Sequence, residues 1–124
     1  MHELAIAADL VESVAASARK AGARRVTQVF LQVGALSGVS KEALHFCYDV
    51  ATRNTLLEGS RLVIEDVPAV IYCEHCQAEV ALPGIQSLRC PRCGRLSPRL
   101  LRGRELAIVG VEIDLPEEET ERKR

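Results

Sequence analysis

Four of the five cysteines fall as two pairs, Cys73-Glu-His-Cys76 and Cys90-Pro-Arg-Cys93-Gly94. A thiolate is a soft ligand, and a spacer of two residues lets both sulfurs of a pair reach the same ion from one tight turn. Two such turns closing on one ion make a tetrahedral site, for which zinc is the default metal. Thirteen residues separate the pairs, just under the usual interval for such sites, and Pro91 and Gly94 suit the sharp turn of a metal knuckle. Two other chemistries use the same sulfurs. Disulfides need an oxidising compartment, yet Met1-His2-Glu3-Leu4 lacks the charged start and apolar run of a secretory signal. An iron site of rubredoxin type is usually shielded by aromatic rings, and this chain has only Phe30, Phe46, Tyr48 and Tyr72.

A second metal chemistry is written in Met1-His2-Glu3. An amine on Met1, the backbone nitrogen of His2 and the His2 imidazole can form fused chelate rings around one ion, and the amide of Glu3 can complete a plane of four nitrogens. A planar nitrogen set suits Ni(II) or Cu(II), whose d-electrons reward square geometry, whereas zinc gains nothing from it. Against this stands the usual behaviour of a chain end, which frays. A cation at the start of a helix also opposes the helix dipole, so binding there is expected to be loose and reversible.

These residues must be held by regular elements. Leu4, Ala7, Ala8, Val11, Val14, Ala15 and Ala18 recur at intervals of three and four, which predicts a helix over Leu4 to Ala21 stopped by Gly22. Thr27 to Val33 alternates, with Val29, Leu31 and Val33 on one face, as a half-buried strand does. The loop Gly34-Ala-Leu-Ser-Gly38 then breaks it. Ser40 can cap a second helix running to about Asn54, with Leu44, Cys47, Tyr48 and Ala51 as its buried stripe. Cys47 reads as a core residue and His45 as a surface or half-buried histidine. Arg61 to Val67 and Glu105 to Ile113 are two further strand candidates.

If those strands join the first, the segment between them leaves the sheet and returns. The expected fold class is α+β: a small mixed α/β domain of two helices on a three-stranded sheet, residues 1–67 plus 105–116, with an inserted zinc-ribbon-like domain of four cysteines over 68–104. A lobe of that size needs a metal or a disulfide to stay folded, and four sulfurs supply the constraint. Residues 117–124 read as a flexible charged tail.

At 124 residues, 48% of them apolar, the chain can bury a core, and no apolar run is long enough to span a bilayer. Its 16 basic and 17 acidic residues give no overall pull toward nucleic acid or lipid, which suits a cytoplasmic protein. Locally, Arg89, Arg92, Arg95, Arg99, Arg102 and Arg104 follow one another without an acidic residue between them. They neutralise the doubly negative metal-thiolate centre, or they form a docking surface for an acidic partner. His75, between two cysteines of one pair, has no vacancy in a four-sulfur site.

The chain resembles the HypA/HybF family of nickel metallochaperones in [NiFe]-hydrogenase maturation. The likeness covers residues 1 to 115. It rests on Met1-His2-Glu3-Leu4, on Val33-Gly-Ala-Leu-Ser-Gly-Val39, on Leu44-His-Phe-Cys-Tyr-Asp-Val50 and on the two cysteine pairs. The resemblance implies Ni(II) as reversible cargo at Met1, His2 and Glu3, and structural Zn(II) on Cys73, Cys76, Cys90 and Cys93. It implies a HypB-type GTPase and the hydrogenase large subunit as partners. Some members serve urease maturation as well, and the family includes domain-swapped dimers, so urease maturation proteins and a homodimer are within its range. No nucleophile with its base, no phosphate loop and no paired carboxylates are visible, which favours binding and handover over catalysis. The rival readings are a zinc-ribbon nucleic-acid-binding protein, carried by Arg92, Arg95 and Arg99, and a rubredoxin-like electron carrier.

Overall fold

The computed structural model describes residues 2–84 and 87–116, so Met1 and the charged tail 117–124 lie outside the described residues. The element order is α1 (Glu3–Lys20), β1 (Arg25–Gly34), α2 (Lys41–Ala51), β2 (Arg61–Val67), β3 (Val70–Cys73), β4 (Ala78–Ala81), β5 (Leu100–Arg102) and β6 (Leu106–Asp114). Strands pair as two sheets of three, in the orders β2-β1-β6 and β4-β3-β5. The expected mixed architecture of two helices and a three-stranded sheet is therefore present, and the cysteine segment adds a small sheet of its own.

Compact packing divides the chain into two units. The first holds residues through Phe30, Ser40–Val63 and the residues from Ile108; the second holds Leu31–Val39 and Ile64–Ala107. In the first, α1 buries Ala7, Val11, Val14, Ala15 and Ala18 as the sequence periodicity predicts, and Leu10 in addition, whereas the expected Leu4 and Ala8 stay exposed. The helix ends in a tight reversal. Gly22 takes φ +76°, its amide donates to Arg19 O, and the Ala23 amide reaches Ala18 O at 2.9 Å, which satisfies carbonyls the helix would otherwise leave open.

Helix α2 packs on α1 and begins at Ser40, whose hydroxyl accepts from the Ala43 amide at 3.3 Å. It stops at Ala51, three residues earlier than the sequence suggests. Beyond it Thr55 donates its hydroxyl to Thr52 O at 2.6 Å, and Asn54 adopts φ +63°, so the chain turns where the apolar spacing alone would continue. Leu44 and Tyr48 are buried on this helix, whereas Cys47 is only half-buried and His45 is exposed. Strand β1 presents Val29, Leu31 and Val33 to the interior as the alternation requires, and starts two residues before Thr27. Thr27 and Gln28 both donate to the Glu112 carboxylate at 2.9 Å, tying β1 to β6 by side chains as well as backbone.

In the second unit the turn after β1 is packed on backbone. The Gly34 amide donates to Glu105 O, and the Leu36 amide to Gly103 O. A Cβ on Gly34 would collide with the Gly103 carbonyl and the Glu105 amide nitrogen, and Gly103 itself takes φ +128° with no room beside Ala69. No flexible side chain can yield at Gly34, because the obstructing atoms are main chain. Gly34→Ala should therefore destabilise the zinc-loaded protein by about 3 kcal/mol or more. Urea unfolding followed by circular dichroism reads this, and an unchanged midpoint would disprove the close approach.

Candidate metal centre

The first cysteine pair occupies a hairpin. Strands β3 and β4 are antiparallel with Cys73 opposite Ala78, so Glu74 to Gln77 form the turn and bring Cys76 back beside Cys73. The Cys76 amide lies 3.5 Å from the Cys73 sulfur, the contact of a metal knuckle. The second pair is closed by a bridge between Arg89 and Leu96, with the Cys90 amide donating to Arg95 O and the Gly94 amide to Cys90 O. In each knuckle the residue after the second cysteine is left-handed: Gln77 at φ +52° and Gly94 at φ +77°. Gly94 could be anticipated, since only glycine adopts this conformation without cost; Gln77 gave no such signal.

These two turns place the four sulfurs of Cys73, Cys76, Cys90 and Cys93 all within 4.8 Å of one another. Cys73 and Cys93 sulfurs are 3.6 Å apart, and those of Cys76 and Cys90 3.9 Å. Ligands at zinc-thiolate bond length on a regular tetrahedron stand about 3.8 Å apart, so the observed spacing fits zinc. It is far too long for bonded sulfur, and all five cysteines are free thiols. Four sulfurs close the coordination shell, which is the signature of a structural rather than a catalytic site. His75, exposed on the first turn, is outside the set, and Cys47 is elsewhere on α2.

Cys73 and Cys76 are drawn in opposite directions. Donation from the Cys76 amide, with help from the Ser97 hydroxyl, draws Cys73 down to about 6, while burial and the neighbouring sulfurs push Cys76 up to about 12. One thiolate forms readily and the next resists until a cation compensates it. The sulfurs also belong to the core of their lobe: Cys73 and Cys90 are buried with Ala69, Ile71, Val80 and Leu82, and Leu36, Leu88 and Leu100 pack against the cluster. The metal ligands and the apolar core are thus one structure.

At the other candidate centre, His2 and Glu3 open α1. His2 stands at the N-cap position, is exposed, and uses no side-chain atom to cap the helix, while its carbonyl accepts from the Ile6 amide at 3.1 Å. The Glu3 carboxylate accepts from the Ser40 amide at 2.8 Å, joining the start of α1 to the cap of α2. That amide holds the Glu3 carboxyl below its ordinary range. A lowered folded value means the contact contributes above the ordinary carboxylate range and is lost as pH falls through the folded value. The sequence offered no sign of this link, since residues 3 and 40 are far apart in the chain.

A family model described as "Hydrogenase/urease nickel incorporation, metallochaperone, hypA" matches residues 1–113. The chain belongs to the HypA family. Its relatives include the hydrogenase maturation factor HypA of Roseiflexus sp., 50% identical over 119 residues that make up 94% of this chain and 97% of the relative. The HypA of Chloroflexus aggregans is 42% identical over 112 residues, covering 90% and 98%. Among solved structures, the solution structure of the nickel metallochaperone HypA from Helicobacter pylori covers 94% of this chain and all of its own, with a TM-score of 0.63 at 18% identity. That likeness supports the fold, and the sequence motifs that pointed to HypA are borne out by the family match. Within a HypA chain, the four-sulfur cluster fits the structural zinc site.

Proposed function

We propose that this HypA-family protein binds Ni(II) at its N-terminus and delivers it during maturation of [NiFe]-hydrogenase, while Cys73, Cys76, Cys90 and Cys93 hold a structural zinc. The reading is carried by the family match over residues 1–113, and the different ligand chemistry of the two donor sets fits it. Four sulfurs converging from two turns make a closed site that keeps its ion; nitrogen at an exposed helix start makes an open one that can exchange ligands. Nickel is held by the amine of Met1, the backbone and imidazole nitrogens of His2 and the backbone nitrogen of Glu3. Engagement of the Glu3 side chain with Ser40 supports a backbone role for Glu3 at the metal. Transfer proceeds by ligand exchange with a partner, with no bond made or broken in the chain, so no catalytic role is assigned.

The partners we infer are a HypB-type GTPase and the hydrogenase large subunit, in the cytoplasm. Among the described residues no helix is long and apolar enough to cross a membrane. The family description covers urease as well, whereas the relatives' own names specify hydrogenase. Residues 68–104 form the inserted zinc-binding domain on this reading, because β3, β4, β5 and all four ligand cysteines fall within them.

Adding two residues ahead of Met1 tests the nickel site without touching any side chain. The extension moves the amine out of the chelate and should abolish stoichiometric nickel binding while zinc content stays unchanged. Nickel and zinc quantified together on untagged and extended protein give the answer. Nickel retained at full stoichiometry in the extended form would refute the assignment.

A further inference from the structure

The arginines that crowd the zinc lobe are not equivalent. Arg89 donates to the Gly94 carbonyl at 3.1 Å inside the second knuckle, and Arg102 pairs with Glu79 at 2.8 Å. Arg95 and Arg99, among the described residues, have no carboxylate partner, and no arginine donates to a cysteine sulfur. Their guanidinium groups therefore keep donors available to a further partner.

Both open on one cavity of about 520 Å³ beside the first knuckle, together with Tyr72, His75 and Leu96. The Arg99 guanidinium sits over the Tyr72 ring, 5.1 Å from its centroid, and the Tyr72 amide donates to Arg99 O at 2.9 Å, so backbone pairing fixes both residues. This attraction to the ring leaves guanidinium N–H groups to fork onto a carboxylate. Leu96, 63% exposed on the same wall, offers apolar surface that no neighbour covers. Two cations and an apolar side chain around a cavity of this size are the makings of a recognition site, in which Arg99 is already held in place by Tyr72.

We propose that this cleft docks an acidic peptide segment of a protein partner, with a carboxylate on Arg95 and Arg99 and a neighbouring apolar side chain against Leu96. A protein is favoured over nucleic acid for two reasons. The Tyr72 ring already carries Arg99, which leaves the His75 imidazole alone where a strand of bases needs successive stacking platforms. Glu74 also lines the cleft, and its charge opposes a continuous phosphate backbone more than a segment that alternates acidic and apolar groups. The inference goes beyond nickel handling and does not depend on where nickel binds.

The test uses the zinc-loaded full chain without nickel and a short fluorescent peptide alternating Glu and Leu, read by anisotropy. The peptide should bind, more weakly as salt rises, and its Gln-for-Glu counterpart should not, an arm that needs no variant. Arg95→Gln with Arg99→Gln should weaken binding about tenfold or more, and Arg99→Lys severalfold, since lysine keeps the charge but loses the fork and the stack. Arg92→Gln with Arg104→Gln should leave affinity near the parent's. Zinc content and thermal midpoint, measured on each variant, separate lost recognition from lost folding. Equal binding of the Gln peptide, equal losses in the two arginine pairs, or displacement of the peptide by a single-stranded oligonucleotide at lower concentration would each overturn the proposal.

Discussion

Cys73→Ala protein should purify without its zinc and with the β3–β4–β5 sheet open to solvent exchange, while helices α1 and α2 keep their protection. Cys73 is both a member of the four-sulfur cluster and a buried member of the lobe's core, so one substitution removes a ligand and opens a cavity among Ile71, Val80 and Cys90. Zinc binding in small structural sites carries about 10–16 kcal/mol of apparent free energy that is also folding free energy. The loss of one thiolate should therefore lower zinc affinity by orders of magnitude and unfold what the ion staples. The core of the other unit, built from Leu10, Val14, Leu44 and Tyr48 among others, contains none of the four sulfurs. Elemental analysis gives the zinc content, and amide exchange at Val70 to Cys73 against Leu10 to Val14 gives the distribution of damage. Cys47→Ala is the control and should keep full zinc, since its half-buried thiol is outside the cluster. Full zinc and unchanged exchange in Cys73→Ala would remove the basis for a four-sulfur site.

What could be read without coordinates follows from how local the physics is. Helix α1 was legible because a buried stripe at helical period and a glycine stop are both written within a few turns of chain, and the buried residues and the Gly22 reversal follow that pattern. The cysteine pairs were legible because ligand chemistry dictates spacing, and the sulfurs do converge. Strands β3, β4 and β5 were not anticipated, since three or four residues are too few to show a period and β5 reads only Leu-Leu-Arg. The early end of α2 was also hidden, because it depends on Thr52, Asn54 and Thr55 finding local hydrogen bonds that compete with a continuing helix. Expected core membership of Cys47 failed on geometry: one position off the line of Leu44 and Tyr48 leaves it at the edge of the buried face. Glu3 with Ser40, and Tyr72 with Arg99, are pairs that only the tertiary fold creates, so no inspection of neighbours in sequence finds them.

His2→Ala should lower nickel affinity at least about a hundredfold, equivalent to about 2.7 kcal/mol, with zinc content unaltered. The imidazole is the one side-chain donor in the proposed set, and its removal breaks one of the fused rings that make chelation favourable. Substitution costs the fold little, because His2 is exposed and its side chain caps nothing; the bond from Ile6 goes to its carbonyl, which alanine retains. Glu3→Gln separates backbone from side chain. If Glu3 serves the metal through its amide nitrogen, this variant should keep most of the nickel affinity and instead weaken the carboxylate contact to the Ser40 amide that joins α1 to the cap of α2. Copper provides a further check on the ligand type, since a planar nitrogen set should bind Cu(II) more tightly than Ni(II), whereas the tetrahedral four-sulfur centre should keep its zinc against Ni(II). Isothermal titration of the zinc-loaded chain with nickel, followed by elemental analysis of the same sample, reads both ions. Tight stoichiometric nickel binding in His2→Ala, or nickel uptake matched by zinc release, would place the cargo on other donors and end the division between a nitrogen site for transfer and a sulfur site for architecture.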